Sequence, residues 1–132
     1  MARLRIRTAR DLARLCAYCA HEKKGENILA IDIGAIDGSP AEWFVLVTCS
    51  SEQQIRAIAE HIEHCTSAAG LRPPRSEGWE ACQWVIVDYF DVVVHLMRPE
   101  QRAFYKLETL WGDGIAYHLS SDGRLIRQRS QP

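Results

Sequence analysis

No stretch of this chain is apolar over the roughly 20 residues that a membrane-crossing helix needs, and the opening ten residues lack the apolar run of a secretory signal. These absences point to a cytoplasmic protein with no membrane partner. The Arg-rich start has the composition of an organelle transit peptide, but the helical pattern begins by Thr8 and leaves too little chain for one. No G-x-x-x-x-G-K-[ST] or G-x-G-x-x-G opens a helix, so the backbone loops that cradle phosphates in nucleotide enzymes are missing, as is a G-x-S-x-G elbow. Cys16-x-x-Cys19 has no second C-x-x-C to complete a zinc set, and it falls on the apolar face of a helix, where two buried thiols are the simpler reading. The other cysteines, Cys49, Cys65 and Cys82, bring the count to five, an odd number scattered through regular segments, which argues against a disulfide framework. His61 and His64 with Cys65 lack the i, i+4 histidine pair of the zinc proteases and read as a solvated helix face.

What is present suits one globular domain. The 132 residues, 47% hydrophobic and 25% charged, are enough to bury a single core. The net charge of −1 conceals an uneven distribution. The two ends, 1–14 and 121–132, hold eight of the sixteen basic side chains and two of the seventeen acids, which leaves 8 basic against 15 acidic, a net of −7, over residues 15–120. An acidic body is poorly suited to gripping bare nucleic acid, whose affinity comes from Lys and Arg on phosphates, and better suited to a basic protein partner.

Hydrophobic periodicity divides the chain into seven elements. Thr8 reads as the N-cap of an amphipathic helix carrying Leu12, Leu15, Cys16 and Cys19, stopped at Gly25. Residues 28–33 (ILAIDI) and 43–48 (WFVLVT) read as strands, the second apolar enough to be covered on both faces. Ser51 and Gln54 fit a capping box for a helix with Ile55, Ile58, Ala59 and Ile62 on one stripe. Pro73-Pro74 marks a surface connection. Residues 84–88 and 91–97 read as a hairpin around Tyr89-Phe90, neither of which readily adopts the positive φ that tight turns favour. Pro99 starts a third helix with Phe104, Leu107 and Trp111 facing the core, and Met97 also reads as core. The order αββαββα predicts a single-domain α/β (α+β) fold with a mixed four-strand sheet and flanking helices over 1–114, followed by a polar basic tail over 115–132. If the strands at 43–48 and 84–88 are parallel, the connection between them should be a right-handed crossover.

A polar and aromatic constellation surrounds the hairpin: Glu77, Trp84, Asp88, Tyr89, Asp91, His95, Tyr105 and Glu108, with Trp111 beside them. Taken by spacing alone, the carboxylates read as solvated turn residues and His95 as a hydrogen-bonded core histidine.

The run WVIVDYFDVVVHLMRPEQRAFYKLETLW over 84–111 closely resembles the signature of the Iojap family of ribosomal silencing factors: a W-V-x-x-D strand, a short turn, D-V-V-V-H, then F-Y-x-L-E-x-L-W on a helix. AEWFVLV at 41–47, Ser51, Gln54, Ala57-Ile58-Ala59 and Glu77-Gly78 resemble further family segments in the same order, so the likeness spans 8–114. Phe90 stands where the family often has glycine, and the chain from Ile115 onward has no matched counterpart. The resemblance implies a fold related to nucleotidyltransferases without their catalytic motif, no enzyme activity and no cofactor. It also implies binding to the large ribosomal subunit through its ribosomal protein numbered fourteen, which blocks joining of the small subunit and represses translation when nutrients run short. Organellar relatives are linked to ribosome assembly, and relatives are often seen as homodimers, which leaves this chain expected as a monomer or homodimer. The residues expected to dock are Trp84, Tyr89 and Tyr105 as apolar anchors, Glu77, Asp88, Asp91 and Glu108 as partners for Lys or Arg, and His95 as an orienting group. Two alternatives stand beside this reading. An active nucleotidyltransferase would need paired carboxylates after Gly38-Ser39, and no D-x-D or D-x-E follows on a strand. A general assembly or RNA-binding module would use Arg3, Arg5, Arg7, Arg124, Arg127 and Arg129 for peripheral contact with ribosomal RNA.

Overall fold

A computed structural model describes residues 6–128. The elements in chain order are α1 (Ala9–Glu22), β1 (Glu26–Asp32), β2 (Trp43–Thr48), α2 (Glu52–Ala68), β3 (Arg75–Glu77), β4 (Trp84–Asp88), β5 (Val92–Met97), α3 (Pro99–Tyr105), α4 (Leu107–Leu110), β6 (Ile115–Leu119) and β7 (Leu125–Arg127). Helix α1 starts where its sequence dictates. The Thr8 hydroxyl accepts from Asp11 N at 3.1 Å, and the Asp11 carboxylate accepts in return from Thr8 N, satisfying donors that the first turn would otherwise leave bare. Ser51 caps α2 through Gln54 N at 3.1 Å, but the expected reciprocal half of that box is not made. The Gln54 side chain instead accepts from Ser50 N and donates to the carbonyls of Lys23 and Lys24, tying the start of α2 to the end of α1. Gly25 makes that junction possible, because a Cβ there would lie 2.6 Å from Val47 Cγ1.

The sheet has seven strands in the order β3-β4-β5-β2-β1-β6-β7, not the four expected. The central pair β2–β5 is parallel and every other pairing is antiparallel. The condition set for a crossover between 43–48 and 84–88 is not met: β5 lies between them, and β4 runs antiparallel to it. The sheet is mixed and flanked by helices, as the pattern predicted. Helices α1 and α2 cover one face, where Leu12, Leu15, Cys16, Cys19, Ile55, Ile58, Ala59 and Ile62 meet Val45, Val47, Val85, Val87, Val94 and Leu96. The short α3–α4 segment lies over the other, above Ile31, Ile33, Phe44, Leu46 and Met97.

The three added strands explain the count. β3 is only three exposed residues, too short and polar to show a period. β6 and β7 come from the stretch expected to be a tail. β6 pairs with β1, and two α1 arginines hold the hairpin: Arg14 Nε donates to the Gly123 carbonyl at 2.7 Å, and the Arg10 guanidinium stands 4.7 Å from the Tyr117 ring centroid. Part of the basic charge near the N-terminus is therefore spent inside the fold.

The third helix also differs from expectation. Lys106 adopts a left-handed conformation (φ 45°, ψ 55°) and breaks the segment into α3 and α4. Leu107 and Trp111 reach the core as predicted, whereas Phe104 points outward. At the hairpin tip Phe90 has φ 76°, and Asp91 N donates to the Tyr89 carbonyl two residues back, the hydrogen-bond pattern of a γ-turn with positive φ, a strained form for a side-chain-bearing residue. Asp88 Oδ1 supports it by accepting from Phe90 N at 2.7 Å. Phe90→Gly should relieve this strain and raise unfolding stability by about 1 kcal/mol, read as a higher urea midpoint at unchanged m-value. An unchanged or lowered midpoint would show that the turn is not strained.

Candidate docking face

Strand alternation sorts the candidate residues. Along β4, Trp84, Ile86 and Asp88 share one face while Val85 and Val87 face the helices α1 and α2. Across the ladder, Ile86 is paired with His95 on one side and Glu77 on the other, and Asp88 with Val93 and Arg75. Trp84, Asp88, His95 and Glu77 therefore lie on the side that carries α3 and α4.

On that side six rings form a continuous ladder from surface to core. The ring of Phe104 lies 5.0 Å from Tyr105, Tyr105 lies 4.8 Å from Trp84, and Trp84 lies 5.9 Å from His95. His95 then meets Phe44 edge-on at 4.5 Å, and Phe44 meets Trp111 at 5.5 Å. The outer rungs are open to solvent: Phe104 is 77% exposed, Tyr105 50%, and Leu110 on α4 70%. The inner rungs are fixed. Trp84 Nε1 donates to His95 Nδ1 at 3.1 Å, which places the imidazole proton on Nε2, an atom that meets no hydrogen-bond partner among the described residues. Beneath α3 and α4, Arg102 Nε donates to Glu108 Oε2 at 2.9 Å and its Nη1 donates to Thr48 Oγ1 at 3.0 Å, stapling the two short helices to β2 across their break. Gly78, ahead of the Trp84 strand, has φ 96° and no room for a side chain, since a Cβ would stand 2.2 Å from the Trp84 carbonyl oxygen.

The eight candidates thus separate. Trp84, His95 and Tyr105 come together. Glu77 and Asp88 flank them, lining a shallow open depression with Arg75 and Ile86. Glu108 is on this side, but one carboxylate oxygen is engaged by Arg102. Asp91 is exposed at the start of β5, where its carbonyl accepts from Glu42 and Trp43 N. Tyr89 is on the opposite, helix-covered side, its hydroxyl 2.7 Å from Thr66 Oγ1 and its pKa raised by burial. Sequence reasoning missed Phe44, which looked like any strand residue, and Arg102, whose partner six positions later falls outside the i, i+4 rule. It also missed Phe104 as a surface ring, because nothing in Lys106 announces a helix break.

Among the described residues the arrangement offers apolar rings and flanking carboxylates. Asp88 supports its own turn, and the position a Cβ would take at Gly38 has nothing within 4 Å. Of the candidate RNA-contacting arginines, Arg124 pairs with Asp122 at 3.0 Å and Arg127 is exposed, while Arg3, Arg5 and Arg129 lie outside the described residues. Among the described residues no helix is long and apolar enough to cross a membrane.

Burial lowers the His95 pKa from 6.5 to about 4, with the nearby Asp88 charge opposing the shift only in part. Folding therefore favours the neutral ring. Its contribution to stability is fully present above pH 6.5 and is lost as pH falls through 4, because the unfolded chain takes up the proton first. The loss across that window should reach about 3 kcal/mol, and His95→Leu should flatten the corresponding slope in a pH series of urea unfolding. A variant that retains the full slope would show that other groups supply it.

Comparison with known proteins places this geometry in context. The sequence profile described as "Ribosomal silencing factor during starvation" matches residues 6–131. A protein named ribosomal silencing factor from Halalkalibacterium halodurans is 36% identical over 109 residues, covering 83% of this chain and 92% of that one. Its counterpart from Bacillus subtilis is 35% identical over 104 residues, covering 79% and 87%. A crystal structure of a protein from Chromobacterium violaceum superposes with a TM-score of 0.74 at 32% identity, over 80% of this chain and 88% of that one.

Proposed function

This chain belongs to the family of ribosomal silencing factors, and on that premise we propose that it docks on the large ribosomal subunit through the aromatic face of α3, α4 and β4 and keeps the small subunit from joining. The partner is the large-subunit ribosomal protein numbered fourteen, the setting is the cytoplasm, and the outcome is repression of translation when nutrients run short. The observation that carries the reading is the ladder Phe104–Tyr105–Trp84, whose outer rings are exposed and whose inner end is locked by His95 and Phe44. Exposed large rings on a rigid base are what a binding anchor requires. Little side-chain entropy remains to be lost at the inner rungs, and ring area is removed from water when a partner covers the outer ones.

Charge supports the same partner class. The net of −7 over residues 15–120 favours encounter with a basic, RNA-embedded protein surface. Glu77 and Asp88 share the face of Trp84, which supports their pairing with Lys or Arg at the rim. Catalysis is not part of the reading, which rests on relatives named as silencing factors.

Tyr105→Ala should weaken binding to purified large subunits by about 2 kcal/mol, roughly 30-fold, if the ring is a central anchor. Glu60→Gln, exposed on α2 in the opposite layer, should leave affinity unchanged. Sedimentation of recombined subunits gives the functional readout, with saturating protein expected to deplete joined ribosomes. Failure to co-migrate with large subunits at saturating amounts would remove the proposal, and equal affinity for wild type and Tyr105→Ala would remove this face.

A further inference from the structure

The second notable cluster lies in the opposite layer, between α1 and α2. On sequence alone Cys16-x-x-Cys19 reads as a pair of buried thiols, and His61, His64 and Cys65 as a solvated helix face. The fold separates that second group. His64 is exposed, but His61 and Cys65, one helical turn apart, turn toward Cys19 on α1. The donor atoms of Cys19, His61 and Cys65 all lie within 4.8 Å of one another, and Cys65 Sγ is 3.9 Å from His61 Nδ1. Glu22, one turn after Cys19, accepts from His61 Nε2 at 2.8 Å.

We propose that Cys19, Cys65 and His61 form a zinc site between the two helices, with the Glu22 carboxylate orienting the imidazole. Four features support it. Two thiolates and one imidazole are a donor set that selects Zn²⁺ over Mg²⁺ or Ca²⁺, which take oxygen ligands. Zn–S bonds of about 2.3 Å and Zn–N bonds of about 2.0 Å in a tetrahedron separate donor atoms by about 3.5–3.8 Å, so closure needs movements of about 1 Å or less, within reach of side-chain rotation. The Glu22 contact holds the ring proton on Nε2 and leaves the Nδ1 lone pair available as the ligand, with Cys65 Sγ 3.9 Å from both ring nitrogens, so that a turn of the ring aims Nδ1 at the shared ion in the carboxylate–histidine arrangement that accompanies most metal-bound histidines. Finally, Cys19 is buried while His61 and Cys65 are half-buried, so an ion can enter from the solvent side and seat against a fixed inner ligand.

The step balances simply. Zn²⁺ binds two sulfurs and one nitrogen, two thiol protons leave to solvent, the Nε2 proton stays on its hydrogen bond to Glu22, and a water molecule takes the fourth position. Burial holds the Cys19 thiol protonated in the free chain, so the ion must displace that proton. The consequence is a clip between α1 and α2 in the layer away from the docking face.

The test uses the full chain, fully reduced, with Co²⁺ alone as the first probe and Zn²⁺ as competitor. One Co²⁺ per chain should bind with thiolate-to-cobalt charge-transfer absorption and strong tetrahedral visible bands, bleached by one equivalent of Zn²⁺. Zinc at a hundredfold excess over its Kd should raise Tm by roughly 10 °C. Cys65→Ser and His61→Ala, both at half-buried positions, should weaken binding at least tenfold, as should Glu22→Gln, whereas His64→Ala should bind as the parent does. Absence of cobalt–thiolate absorption in the reduced chain overturns the proposal, and so does absorption that survives Cys65→Ser. A chain that ignores both ions when reduced and forms a Cys19–Cys65 disulfide on oxidation would also overturn it, making the pair a redox element instead.

Discussion

The rest of the structure follows from the burial of β2 on both faces. All six residues of Trp43–Thr48 are buried, and its neighbour β5 is buried at five of six positions. A strand pair that apolar on two sides has to be covered twice, and its parallel pairing places a long connection between its members. The intervening chain supplies α2, β3 and β4, with α2 and α1 together sealing one face. The other face is left to α3 and α4, seven and four residues long. Two helices that short bury little by themselves. They are held by Leu107, by Trp111 against Phe44, and by the Arg102–Glu108–Thr48 staple, and what they leave uncovered is the outer part of the aromatic ladder. The proposed docking face is thus the unfinished side of an otherwise completed sandwich of layers.

Several parts of this were legible in the residues because they rest on local chemistry. Thr8 and Ser51 cap as their types and spacing dictate, the stripes Leu12–Cys19 and Ile55–Ile62 bury as periodicity requires, and WFVLVT announces two-sided burial. The failures share one cause, which is that tertiary partners supplied what the local sequence did not. β6 and β7 are short, and their place depends on Arg10 and Arg14 from the far end of the chain. The break at Lys106 and the turn at Phe90 put side-chain-bearing residues at positive φ, where sequence reasoning looks for glycine. In the candidate site, Trp84, His95 and Tyr105 were found together, while Tyr89 was not separable by residue type. Its separation was available from alternation alone, since Val85, Val87 and Tyr89 share a parity that Trp84, Ile86 and Asp88 do not.

The sheet edges bear on how the chain meets copies of itself. β3 and β7 are each three residues long, and both carry arginine, with Glu77 on the first. Short charged edges are poor templates for strand addition. Pairing of two copies through a sheet edge is therefore disfavoured relative to contacts through the aromatic face. Such a contact would cover the same rings that the proposed docking uses, so on that proposal dimer and docked complex would be alternatives.

Why the proposed docking would use rings at its centre and carboxylates at its rim follows from the range of each force. At physiological salt the charge of the acidic body is screened beyond about 8 Å, so it can speed encounter with a basic surface but contributes little once the partners are in place. Holding the complex falls to short-range contacts, and those are effective only if the groups making them are already fixed. His95 meets that need in an unusual way. Kept neutral by burial, it adds no charge that would have to be desolvated, and it accepts the Trp84 indole proton, fixing the ring on which Tyr105 stacks. An imidazolium would lose that acceptor and bring an unpaired charge under the ladder. The lowered pKa and the rigidity of the proposed docking face are two consequences of the same buried position.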